Sequence, residues 1–341
     1  VTTVGIIGAA GYVGGELLRL LLHHPDVRVT GAYSASLRGK RVDGAHPNLR
    51  GHTALSFTDP DDRGAHDVVF LAVPHGRAVE HVRALAGTST CVVDLTADFR
   101  LRDPGAHQRY YGEVPPADDL RAAFTPGLPE LYRDALRTAD RISVPGCMAT
   151  AGVLALRPLA AAGLVEPGVV IDAKIGSSGS GSSATTTNLH AERSGAMRVF
   201  APHRHRHEAE VAQETGLDVR MTATGVEAVR GAQVLCHASG KPGLAEADVR
   251  RAYRDAYADE PFVRVVAQRR GLYRLPEPKI LAGTNYCDVG FSVEEDSGRV
   301  LAVAALDNLV KGAAGNAVQC LNIRLGRPED TGMRFAGLHP V

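Results

Sequence analysis

The sequence predicts an α/β protein with two parts: a Rossmann-type doubly wound parallel sheet, then an α+β domain with a mixed or antiparallel sheet. Three observations carry this expectation. Over the first 145 residues, short apolar runs alternate with helical patterns, as in a parallel sheet covered on both faces. A glycine-spaced turn lies between the first run and the first helical pattern. Beyond Cys147 the runs become longer alternating strands with few crossover helices, which is the habit of mixed or antiparallel sheets. At 341 residues the chain can hold about two domains of roughly 150 residues each.

Val4–Ile7 reads as the first strand. Gly14–His24 reads as a helix, with Leu17, Leu18, Leu21 and Leu22 on one face and Pro25 beyond its end. Val27–Tyr33 is the next strand. Asp67–Val73 and Thr90–Leu95 are continuous apolar runs, as expected of strands buried on both faces, with a helix over Arg77–Ala86 between them. In the second part, Met148–Ala162 is a helix ended by Gly163. Val169–Ala173, Arg220–Val226, Gln233–Ala238, Asp288–Val293 and Val300–Ala305 read as strands. The last strong element is a helix from about Asn308 to Arg324.

Composition narrows the function. Lys plus Arg equal Asp plus Glu at 38 each, so the basic footprint of a nucleic-acid binder is missing. Ordinary hydrophobic and charged fractions exclude wholesale disorder. The five cysteines are scattered, with no C-x-x-C pair, which argues against a disulfide framework or a zinc module and for a reducing, cytoplasmic setting. The N-terminus shows no signal-peptide pattern. The stretch Ala149–Val165 is too short to span a bilayer and is interrupted by Arg157 and Pro158. No metal, membrane or nucleic-acid partner is expected.

The glycines of the first turn are Gly8, Gly11 and Gly14, with Tyr12 and Val13 between them. A strand before and a helix after make this a dinucleotide loop, in which backbone N–H groups meet a pyrophosphate at a helix N-terminus. After the second strand an NAD enzyme usually places a carboxylate. Here the segment holds Ser34, Ser36, Arg38 and Lys40 instead, a set suited to a 2′-phosphate and hence to NADP(H). The alternative is a solvated basic loop.

Cys147 follows a Pro-Gly turn and opens a helix, where the dipole favours a thiolate. A nucleophilic cysteine needs a base. His203, His205 and His207 alternate with Arg204 and Arg206. In a strand the three histidines share a face; in a helix only His203 and His207 do. They suit a base beside Cys147 with cations for an anionic substrate. A zinc site or a solvated polar edge are the competing readings.

These segments resemble N-acetyl-gamma-glutamyl-phosphate reductase, of the wider group that includes aspartate-semialdehyde dehydrogenase. The resemblance rests on Gly8–Leu17, Asp94–Arg100, Gly127–Glu130, Pro145–Thr150, His205–Glu210 and Asp307–Gln319, in that order. It departs at Val144, where the family usually has Asn, at Met148, where it has an aromatic, and at Ala209, where it has Pro. The Ser/Gly-rich segment Lys174–Gly179 is also looser than usual. The resemblance implies NADPH-dependent reduction of N-acetyl-L-glutamyl 5-phosphate through a Cys147 thioester, in arginine biosynthesis, with aminoadipyl or aspartyl phosphate as the alternative substrate. It implies His207 as the base, His205, Arg206 and Arg100 as substrate-binding groups, and Ser178, Gly179 and Asn316 near the nicotinamide. It further implies an NADP-binding domain over 1–147 and 306–341, a catalytic and dimerisation domain over 148–305, and a homo-oligomer, dimer or tetramer.

Overall fold

The computed structural model describes residues 1–112 and 115–340; residues 113, 114 and 341, all within the expected NADP-binding domain, lie outside the described residues. Packing divides the chain into two compact units. One comprises Val1–Gln108, Gly112–Pro145 and Ala313–Arg334, and the other Arg109–Tyr111, Gly146–Gly312 and Phe335–Val341.

The first unit is built on six parallel strands: β1 (Thr2–Ile7), β2 (Val27–Tyr33), β3 (Val68–Leu71), β4 (Cys91–Asp94), β5 (Thr125–Pro126) and β6 (Arg141–Ser143). Their order is β2-β1-β3-β4-β6-β5. The order reverses between β1 and β3, so a crevice opens beyond the carboxyl ends of those two strands. β3 and β4 are buried at every position, which explains their unbroken apolar sequence. The helix Tyr12–Leu21 covers one face of the sheet through Leu17, Leu18 and Leu21.

The second unit holds a seven-stranded mixed sheet. Its strands are β7 (Val165–Ile175), β8 (Arg198–Ala201), β9 (Asp218–Gly225), β10 (Ala232–Gly240), β11 (Val263–Val265), β12 (Cys287–Glu294) and β13 (Arg299–Leu306). Their order is β11-β12-β13-β10-β7-β9-β8. The β11–β12 and β7–β9 pairs are parallel and the others antiparallel. Alternating burial along β9 and β10 places one face on the core.

The helix Cys147–Ala161 lies at the heart of this unit, buried along most of its length. Gly163, at φ +63°, follows its end. Pro158 sits inside the helix and brings no N–H, so the carbonyl four residues back, on Leu154, loses its helical partner. The Tyr257 hydroxyl donates to that carbonyl at 2.7 Å, and the Tyr253 hydroxyl donates to the next one, Ala155, at 2.5 Å. Both tyrosines belong to the helix Glu246–Tyr257 and are buried. That helix therefore repairs the break the proline makes. The last expected helix begins differently: Val310–Ala314 is a π-helical turn, and regular α-helix runs only over Gly315–Arg324.

Tyr257→Phe should leave the Leu154 carbonyl buried without its partner, at a cost of about 1–3 kcal/mol. Urea unfolding should show a lower midpoint with an unchanged slope; an unchanged midpoint would mean the carbonyl is satisfied elsewhere.

Candidate active site

In the second unit, Cys147 is the first residue of its helix and Gly146 is the N-cap, in extended backbone with φ −68°. No side chain fits at 146: a Cβ there would fall 2.0 Å from His207 Nε2. The imidazole of His207 thus lies against the residue that precedes the cysteine. The Gly146 N–H donates to Glu210 Oε2 at 2.8 Å. The other oxygen of Glu210, Oε1, is 3.9 Å from His207 Nε2 and accepts from the Tyr111 hydroxyl at 3.5 Å. Glu210 is only 3% exposed, so burial makes these partners necessary. Gly312 also packs against the cysteine, since a Cβ there would fall 2.5 Å from Cys147 Cβ.

Cys147 is half-buried, whereas the other four cysteines are buried. Burial pushes the Cys91 thiol up to about 12 and raises that of Cys236 further. Those two behave as small apolar side chains.

The histidine segment is a helix start, which decides between the strand and helix readings that the sequence left open. Arg204 takes φ +56° and turns the chain, and the helix Arg206–Thr215 follows. His205 is its N-cap: Nδ1 accepts from the His207 N–H at 3.3 Å. The two rings meet edge to face at 4.6 Å, and Phe200 contacts His205 in the same manner at 5.8 Å. Burial and the neighbouring Arg206 guanidinium pull His205 down to about 4. It is therefore neutral near pH 7 and offers no positive charge to an anion. Arg206 is the first helical residue, and its Nε is buried with no hydrogen-bond partner among the described residues.

Glu208 and Glu210 did not stand out as site residues in the sequence. Glu208 is buried and accepts from the Tyr110 hydroxyl at 2.5 Å and from the Met221 N–H at 2.9 Å, fixing the helix to β9. The spacing His207 to Glu210, three residues apart on a helix, was the available signal for the second carboxylate. Ser178 and Asn308 hydrogen bond to each other at 3.0 Å, and Asn308 also accepts from the Gly231 N–H. Gly179 packs against Ile175, since a Cβ there would fall 2.6 Å from its Cδ1.

In the first unit, the glycine loop meets the structural demands of a dinucleotide site. Gly8 has φ +87°, and a Cβ on it would fall 2.3 Å from Ala72 O, at the end of β3. A Cβ on Gly14 would fall 2.4 Å from Gly8 O, whereas one on Gly11 would meet nothing nearer than 3.6 Å. Gly11 is the N-cap of the helix Tyr12–Leu21, without a side-chain cap or an acidic residue in the first turn. In that first turn Tyr12 is exposed, Val13 is half-buried, and Gly14 is buried. This cradle fits a pyrophosphate. Ser34 and Ser36 lie 3.3 Å apart through their hydroxyls at the end of β2, and Lys40 is exposed. Arg38 is not free as the sequence suggested: it pairs with Asp62 at 3.0 Å and Asp59 at 3.7 Å. It is 64% exposed, so the pairing is weak and a phosphate can displace it.

Two other expected site residues of this unit make backbone contacts. Arg100 donates through Nε to Val144 O at 2.8 Å and through Nη2 to Leu95 O at 3.1 Å. It thereby fixes the stretch that leads to the cysteine. Asn316 donates to Gly127 O at 2.7 Å. Among the described residues no group of three or more His, Cys, Asp or Glu is arranged to hold a metal, and no helix is long and apolar enough to cross a membrane.

Residues 3–139 match the semialdehyde dehydrogenase NAD-binding domain, and residues 147–308 match the semialdehyde dehydrogenase dimerisation domain. A protein of Thermomicrobium roseum is 47% identical over the full length of both chains, and carries provisionally the name [LysW]-L-2-aminoadipate 6-phosphate reductase. A Deinococcus radiodurans protein with that name is 43% identical, over 99% of this chain and 98% of its own. Among solved structures, aspartate semialdehyde dehydrogenase with NADP from Candida albicans shares the fold at a TM-score of 0.70 and 16% identity, covering 95% of this chain and 98% of that one. Fold and cofactor cradle define an oxidoreductase that uses a nicotinamide dinucleotide, NADP(H). The chain belongs to the semialdehyde dehydrogenase family.

If His205 is the neutral N-cap described, its imidazole resonances should keep their neutral positions from pH 8 down to about pH 5 and move only below that, near the depressed value of about 4. A histidine midpoint near 6.5 assigned to His205 by NMR would refute this. The same shift lowers stability as pH falls below 6.5, because the unfolded chain then binds the proton more readily.

Proposed function

We propose that the protein is an NADPH-dependent acyl-phosphate reductase acting on a 2-aminoadipyl 6-phosphate group and releasing the semialdehyde and phosphate. The observation that carries the chemistry is the grouping of Cys147, His207 and Glu210 around Gly146. The names of the full-length relatives support the six-carbon acyl chain. They favour it over N-acetyl-L-glutamyl 5-phosphate of arginine biosynthesis, which the sequence motifs alone had put first. The shorter substrate is the second reading, because both chains present the same acyl phosphate to the same groups.

The Cys147 thiolate attacks the acyl carbon and phosphate leaves, giving a thioester. Splitting the reduction at this point replaces one hard step by two easier ones. His207 takes the thiol proton, and Glu210 beside it stabilises the resulting imidazolium. His207 can protonate the oxygen of the thiohemiacetal and takes that proton back as the carbon–sulfur bond breaks, which frees the aldehyde and the Cys147 thiolate. The first-turn N–H groups of the Cys147 helix face developing negative charge on that oxygen. Arg206 supplies a buried donor to the anionic substrate, His205 a neutral one, and Arg100 holds the approach to the nucleophile. The bound NADPH supplies the hydride. Gly8, Gly11, Tyr12, Val13 and Gly14 would hold its pyrophosphate, Ser34, Ser36, Arg38 and Lys40 its 2′-phosphate, and Ser178, Gly179 and Asn316 would line the nicotinamide end. The domain assignment that goes with this is 1–147 with 306–341 for the cofactor and 148–305 for catalysis, whereas packing groups Gly146–Gly312, with Cys147, and Phe335–Val341 in the catalytic unit. The dimerisation-domain match supports a homo-oligomer, and the free cysteines support a cytoplasmic setting.

The test runs the reaction backwards. NADP, phosphate and either N-blocked 2-aminoadipate semialdehyde or N-acetylglutamate semialdehyde are supplied, and NADPH absorbance is followed. The six-carbon aldehyde should give the higher kcat/KM. A preference for the five-carbon aldehyde would reverse the order of the two readings, and no NADPH with either would reject both.

Cys147→Ser should lose nearly all turnover while still binding NADPH, because a serine hydroxyl is a far weaker nucleophile at neutral pH. Iodoacetamide should label Cys147 first among the five cysteines, and peptide mapping reads this directly. Near-normal activity in the serine variant would refute the thioester route.

Replacing Arg38 and Lys40 together by Ala should raise the KM for NADPH and leave that for NADH little changed. Each charge-assisted contact is worth about 1.5–3 kcal/mol, so a rise of tenfold or more is expected. A wild-type enzyme that prefers NADH would contradict the 2′-phosphate assignment.

A further inference from the structure

We propose that the protein has a second activity, the hydrolysis of acyl phosphates and activated esters, expressed when no reduced cofactor is bound. This rests on the reading of Cys147 as a nucleophile. The division of the chain into two units carries it. The groups for acylation all belong to that unit: Cys147, His207, Glu210 and the Gly146 turn that joins them. The glycine loop for the dinucleotide belongs to the other unit. Forming the thioester therefore needs no group from the cofactor cradle.

The same groups can also take the thioester apart. Cys147 is half-buried, so water reaches the acyl carbon once it is bound there. His207 is buried at 5% exposure, with the Glu210 carboxylate 3.9 Å from its Nε2 and that carboxylate fixed by the Gly146 N–H. A buried histidine beside a cysteine at a helix start can serve as the base that activates water for deacylation, and the carboxylate 3.9 Å from its Nε2 favours the imidazolium that forms.

The steps balance without any redox partner. In the first, Cys147 Sγ bonds to the acyl carbon, the carbon–oxygen bond to phosphate breaks, and phosphate leaves with the electron pair and with the proton that His207 had taken from the thiol, so His207 is neutral again. In the second, His207 takes a proton from water while the hydroxide oxygen bonds to the acyl carbon. The carbon–sulfur bond then breaks, the thiolate leaves, and a carboxylic acid is released. During reduction, hydride transfer consumes the thioester before water does, and hydrolysis stays hidden.

The experiment uses the full-length protein stripped of nucleotide, with 4-nitrophenyl acetate as the probe. Nitrophenolate release is followed by absorbance, and the acetyl content of the protein by intact mass. We expect continuous release at least a hundredfold above that of Cys147→Ser, and a fall in His207→Asn to near the rate of the serine variant, the scale of general-base catalysis at about a hundredfold or more. Circular dichroism of both variants must match wild type. A single equivalent of nitrophenolate, with the acetyl group retained on Cys147 and no turnover, would overturn the hydrolase while leaving the nucleophile in place. No release above the serine variant and no acetylation would overturn the nucleophile as well.

Discussion

The hydrogen bond from the Gly146 N–H to the buried Glu210 carboxylate is the constraint on which the site depends. It joins the starts of two helices, Cys147–Ala161 and Arg206–Thr215, that are distant in sequence. The bond requires glycine at 146, because His207 occupies the space a side chain would need. An acid at 210 serves both helix starts at once, accepting from the glycine with one oxygen and facing the imidazole with the other. The bond also requires the helix to begin at Arg206, so that His207 and Glu210 come within one turn of each other. His205 fixes that beginning by capping it.

Packing behind the two helix starts keeps them in register. Gly152 admits Val211 against the nucleophile helix, since a Cβ there would fall 2.8 Å from Val211 Cγ2. Tyr253 and Tyr257 brace the same helix where Pro158 weakens it. A proline there would otherwise free the end of the helix that carries the cysteine to tilt.

The dinucleotide half was legible because its signals are local. Strands β1 and β2, the glycine turn and the helix between them each show in a few consecutive residues. The mixed sheet was legible from alternation along β9, β10, β12 and β13. The helix Glu246–Tyr257 escaped notice, because its buried residues are only Val249, Tyr253 and Tyr257, set among charged neighbours. The histidine segment stayed open between strand and helix because alternating His and Arg satisfies a strand pattern, while the turn at Arg204 is a backbone event with no sequence mark. Arg38 was read by charge and Arg100 by the family resemblance, and neither shows the carboxylates at Asp59 and Asp62 or the carbonyl at Val144 that hold them. The acyl chain was beyond the motifs, since they encode the reacting carbon and not the remainder of the substrate.

The most direct measurement is the pH dependence of Cys147 alkylation by iodoacetamide in wild type and in Glu210→Gln. The amide keeps the size and can still accept from the Gly146 N–H, but removes the charge beside His207. The account predicts that the variant reacts more slowly near pH 7 and converges on wild type at high pH, where the thiol ionises unaided. Superimposable profiles would contradict it, because the carboxylate would then do nothing for the nucleophile.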